Sequence, residues 1–107
     1  MNRQKNFDAI FLNGKFYQSE QVILRIFPSG QNSSRFAVII SAKVNKKAVV
    51  RNRLRRQMNE IIRQNLKKIK PGFDIILIAK PKLTELFFKA IEAELVGLFK
   101  RVGLLIN

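Results

Sequence analysis

The chain contains no cysteine and no histidine. The first absence excludes a disulfide framework, a zinc knuckle and a thiol nucleophile. The second removes the commonest general acid/base and metal ligand. Acids are scarce too: seven among 107 residues, at positions 8, 20, 60, 74, 85, 92 and 94, against 21 Lys and Arg. Glu92 and Glu94 are two apart and diverge on a helix, so no paired-carboxylate or metal-ligand constellation emerges. No catalytic or metal residue is assigned to this chain; if it takes part in catalysis, something else carries the chemistry. Tryptophan is absent, and no apolar run approaches the roughly 18 residues of a membrane helix. Met1 to Lys5 leads into no signal-like hydrophobic region, so the expected compartment is the cytoplasm.

What is present is a folding sequence with a strong charge of one sign. Apolar residues make up 47% of the chain, nine of them Phe, enough for one domain over residues 1–107 with a modest core. The net charge of +14 predicts binding to a polyanion that weakens steeply with salt. Lys43 to Lys70 holds 11 of the 21 basic residues and one acid, Glu60, or +10 of the +14. Arg51, Arg53, Arg55 and Arg56 fall within six positions. Their planar, permanently charged guanidinium groups suit phosphate better than protein packing. A solvated basic face is the bland alternative, but the density and lack of acids favour nucleic acid. A membrane surface is disfavoured, since no exposed Trp/Phe/Leu face follows the basic stretch.

Periodicity places these residues. Asn6 to Asn13 reads as a short helix with Phe7, Ile10 and Phe11 at helical spacing, closed by Gly14. Residues 21–27 and 35–41 are β-branched and apolar around a Pro28–Ser34 turn cluster, predicting an antiparallel hairpin. After a loop over 42–47, a helix is expected over 49–68, with Val50, Leu54, Met58, Ile61, Ile62, Leu66 and Ile69 as its apolar stripe. Arg53, Arg56, Glu60, Arg63 and Lys67 lie opposite. Arg51 and Arg55 fall near the stripe's edge, where at the first turn they can project past the sheet. Pro71-Gly72 ends this unit, and 73–80 is a nearly continuous apolar strand, as in a covered central position. Thr84 is an expected N-cap for a last helix to Val102, with Phe87, Ile91, Leu95 and Leu98 buried. Phe73, Phe88 and Phe99 are also expected in the core. The class is α+β, helices packed on a small sheet.

The order of the basic residues, Lys43-x-x-Lys46-Lys47-Ala48-x-x-Arg51-Asn52-Arg53-x-Arg55-Arg56, resembles the signature of the bacterial ribonuclease P protein subunit. Phe7-x-x-x-Phe11-x-x-Gly14, the Phe36 to Lys43 strand, and Gly72-x-Asp74 running on to Ala79 resemble other parts of that family, in order. The resemblance implies an αβββαβα sandwich on a four-stranded sheet, with a left-handed βαβ crossover that is rare among proteins. The family's extra short strand is expected near 16–19. It also implies a role: the protein component of the ribonucleoprotein that removes the 5′ leader of precursor tRNA, with the RNA subunit holding the catalytic Mg²⁺. On that basis Arg51, Asn52, Arg53, Arg55, Arg56 and Arg63 contact the RNA subunit, and Lys43, Lys46 and Lys47 add phosphate contacts. Phe7, Phe11 and Phe16 contact the leader, the first two either stacking on unpaired bases or stapling the first helix to the sheet. The protein itself is expected to be monomeric. Asn59 stands where many members have arginine, and Arg25 where some have an aromatic. A structural RNA binder and a duplex-DNA binder are the competing readings; neither accounts for both the 43–56 spacing and the 72–81 strand.

Overall fold

A computed structural model of the chain describes residues 15–106. The helix expected over 6–13, with Phe7 and Phe11, lies outside these residues. Strands β1 (Lys15–Gln18), β2 (Val22–Pro28) and β3 (Arg35–Ile39) precede helix α1 (Ala48–Asn65). Strand β4 (Phe73–Ala79) and helix α2 (Phe88–Arg101) follow. The short strand implied near 16–19 is β1. It forms a hairpin with β2 around Ser19, whose hydroxyl accepts the Gln21 and Val22 amides at 3.2 and 3.1 Å.

The sheet order is β1-β2-β4-β3. This corrects the hairpin expected between residues 21–27 and 35–41. β4 lies between those strands, antiparallel to β2 and parallel to β3. Alternation had identified both strands, but it carries no information on partners. α1 between β3 and β4 supplies the crossover that a parallel pair requires. The six-residue 29–34 connection spans the gap and is tied to the segment that leads into β4. Ser29 N–H donates to the Gly72 carbonyl (2.8 Å), and the Ser34 hydroxyl donates to the Lys70 carbonyl (2.5 Å). Gly72 enters β4 at φ +93°, a left-handed conformation that favours glycine.

Register divides the sheet into two faces. Tyr17, Leu24, Leu77 and Val38 form one cross-strand row, and Phe16, Arg25, Ile76 and Ala37 form the next, on the other side. The first face packs against Leu54, Met58, Ile61 and Ile62 of α1 and Ile91, Leu95, Leu98 and Phe99 of α2. Phe99 also meets Phe36, ring centroids 5.9 Å apart.

Boundaries and burial depart from expectation at three points. The last turn of the long helix tightens into a 3₁₀ segment, Leu66–Lys68, leaving Leu66 48% exposed while Ile69 stays buried. Thr84 does not cap α2. It lies in a 3₁₀ turn, Pro81–Glu85, where its hydroxyl donates to the Pro81 carbonyl at 2.7 Å. The N-cap is Phe87, and this displaced start turns its ring outward to 86% exposure, so Phe87 is not a core residue. Phe73 and Phe88 are half-buried, and Phe99 is fully buried.

Candidate nucleic-acid interface

The basic segment is built around the start of α1. Val44, buried, anchors the loop before the helix, and its amide donates to the Ser41 carbonyl at 3.0 Å. Asn45 Oδ1 accepts the Lys47 amide at 2.9 Å, forming an Asx turn that leads into the helix. Lys43, Lys46 and Lys47 project from this loop into solvent. The first helical turn carries neither an acid nor a side-chain cap. Helix polarity therefore adds to the lysines' positive potential instead of being neutralised by a local carboxylate.

Arg51 has a task besides charge. Its Nη1 donates to the Asn45 carbonyl at 2.7 Å and to the Lys46 carbonyl at 3.0 Å. The half-buried guanidinium thus clamps the loop onto the helix, as its position at the edge of the apolar stripe allows. Asn52, Arg53 and Arg56 are exposed, and Arg55 is half-buried. Asn52, Arg56 and Arg63 recur at four and seven residues and share one flank. Arg53, one turn before Arg56, also borders a groove lined by residues 83–88 and Ile91.

Arg63 is committed to an ion pair. Its Nε donates to Glu60 Oε2 at 3.0 Å and its Nη2 to Oε1 at 2.5 Å, a bidentate geometry one turn apart. The pair holds the Glu60 carboxyl below its ordinary range and raises Arg63, through the hydrogen bonds first. Periodicity places these two residues on one helix face but does not show that the carboxylate takes up the fork.

The opposite sheet face presents a second surface. Phe16 is 47% exposed, with the Arg25 guanidinium carbon 5.0 Å from its ring centroid, a cation–π contact. Arg25 is thus stacked on an aromatic ring of the neighbouring strand. Ile23, Ile76, Ile78 and Ile39 continue this face, with Ile39 46% exposed. At its end, Arg35 grips Asp74 through Nε (2.8 Å) and Nη2 (2.9 Å), which raises the guanidinium pKa. No helix among the described residues is long and apolar enough to cross a membrane.

The fold and this cationic helix start define a small α+β protein that binds a polyanion. The family model for Ribonuclease P matches residues 1–103. The ribonuclease P protein component of Synechocystis is 34% identical over 102 residues, covering 94% of this chain and 82% of the relative. That of Clostridium botulinum is 33% identical over 105 residues, covering 97% and 94%. Among solved structures, the RNase P protein of Thermotoga maritima superposes with a TM-score of 0.79 at 33% identity, covering 94% of each chain. The Staphylococcus aureus RNase P protein shares the fold, with a TM-score of 0.82 at 21% identity, covering 97% of this chain and 94% of that one. The chain belongs to the ribonuclease P protein family. It is the non-catalytic protein subunit of the tRNA-processing endoribonuclease, and its partner is the ribonuclease P RNA.

Proposed function

We propose that the α1 start docks on the RNA subunit while the opposite sheet face, at Phe16 and Arg25, receives the 5′ leader of precursor tRNA. The observation that carries this is the separation of two surfaces. A cationic one, Lys43 to Arg56, sits on the helical layer, and an apolar one with exposed Phe16 lies across the sheet. Lys43, Lys46, Lys47, Arg53, Arg55 and Arg56 contact phosphates, Asn52 supplies hydrogen bonds, and Arg51 holds the loop in the shape they need. Phe16 contributes a ring on which an unpaired leader base stacks, and the family resemblance implies leader contacts at Phe7 and Phe11 as well. Binding both polyanions on one body lowers their mutual repulsion and positions the leader relative to the scissile bond.

The described residues contain no cluster of three or more acids, histidines or cysteines to hold a metal ion. We assign the family's Mg²⁺ to the RNA subunit and the substrate. In this reading the chain is one RNA-binding domain and acts as a cytoplasmic monomer.

The test is cleavage of a precursor tRNA by a bacterial ribonuclease P RNA at low Mg²⁺. It is run without protein, with this protein, and with Arg51→Ala/Arg53→Ala. Wild type should stimulate cleavage, and the double variant should lose most of that effect while keeping its helical circular dichroism. Stimulation that survives the double substitution removes the motif from the interface.

A further inference from the structure

Beside the motif lies a groove of about 300 Å³ between α1 and the segment running into α2. Its α1 wall is Val50, Arg53, Leu54 and Gln57, at i, i+3, i+4 and i+7, so one helix face lines it. Its floor includes buried Leu83 and Ile91, and the opposite wall carries Phe87. That ring is the most exposed large apolar side chain among the described residues, at 86%. Its backbone is anchored: Phe87 is the N-cap of α2, and its carbonyl accepts the Ile91 amide at 2.9 Å. An exposed aromatic ring lining the same groove as an arginine contributes nothing to the core. The volume is at the low end of small-ligand sites, roughly 300–1,000 Å³, too little for a docked helix but enough for one planar ring system.

We propose that this groove receives one unpaired nucleotide of the ribonuclease P RNA subunit, its base stacked on Phe87 and its phosphate on Arg53. The occupant follows from position. Arg53 belongs to the motif facing the RNA subunit and also forms the groove wall, so the pocket is continuous with that surface. The leader surface with Phe16 lies on the other side of the sheet. Glu85 and Gln57 complete the rim. A carboxylate there repels phosphate, which directs the phosphate to the Arg53 side, and it accepts from the amino edge of a base.

This inference rests on the assignment of the motif to the RNA subunit, and the experiment separates the two. Affinity of the full-length protein for a bacterial ribonuclease P RNA is measured across a salt series for wild type, Phe87→Ala, Phe87→Trp, Phe87→Leu and Arg53→Ala. Stacking is sequence-tolerant and uncharged. Phe87→Ala should therefore weaken binding about 5- to 150-fold with an unchanged slope of log K against log salt. Phe87→Trp should restore affinity, and Phe87→Leu should not. Arg53→Ala should reduce the slope by about one. An 86%-exposed side chain can be truncated without unfolding the protein, which a thermal melt verifies. Equal affinity for Phe87→Ala and wild type, beside a weakened Arg53→Ala, overturns the groove and leaves the motif assignment standing. Equal affinity for both variants removes both. A Phe87→Ala penalty that appears only for leader-bearing precursor tRNA bound to the assembled holoenzyme also overturns the proposal, since it assigns the groove to the leader.

Discussion

Arg51 shows that residues of one motif can have different tasks. Its neighbours present charge to solvent, whereas its Nη1 holds the carbonyls of Asn45 and Lys46. Arg51→Lys keeps the charge but replaces the planar fork with a single ammonium on a flexible stem. The salt slope of RNA binding should stay unchanged while affinity falls about 5- to 10-fold, equivalent to roughly 1 kcal/mol of lost loop order. A fluorescence titration at several salt concentrations separates this from a lost phosphate contact, which lowers the slope itself. Phe87 is a different case. Helical spacing assigns it to a buried face, and only the displaced N-cap turns it outward.

At the scale of elements, the α1 surface carries one acid, Glu60, paired with its own Arg63. Glu60 is held deprotonated below the ordinary carboxylate range by Arg63, so its folded-state pKa is depressed. The stability it contributes is therefore present above the unfolded value and is lost as pH falls through the folded one. Protonation also frees the Arg63 fork. Glu60→Gln should leave the fold intact, tighten RNA binding and raise the salt slope by about one at neutral pH. If slope and affinity match wild type, Arg63 makes no phosphate contact. Helices α1 and α2, strands β2 to β4 and the cationic segment were legible because each rests on local spacing: 3.6-residue periodicity for α1 and apolar runs for β2 and β4; β1 came only from the family resemblance. The insertion of β4 between β2 and β3 was not, because strand partners are chosen by the crossover and not by either strand's pattern. The Thr84 boundary was missed because Pro81 starts a 3₁₀ turn that runs to Glu85 and moves the α2 N-cap to Phe87.

The whole molecule carries +14, and among the described residues the ion pairs engage Arg35, Arg63 and Lys82. Most of the charge is therefore uncompensated and opposes the compact state. Anions that bind the folded form stabilise it by mass action. The melting temperature should be several degrees higher in sulfate or phosphate than in chloride at equal ionic strength. Equal values in calorimetry would show that the α1 start holds no specific anion. Topology has a consequence of another kind, for the order in which the chain becomes a protein. β2 meets Ala79 through Val22, and β3 meets Ile78 through Ile39, so the inner edge of each takes its main-chain partner from a segment made after the whole RNA-binding helix. During synthesis α1 is complete while those inner edges stay unpaired and only the β1–β2 hairpin can form. The order of synthesis thus finishes the nucleic-acid-binding element before the sheet beneath it can close.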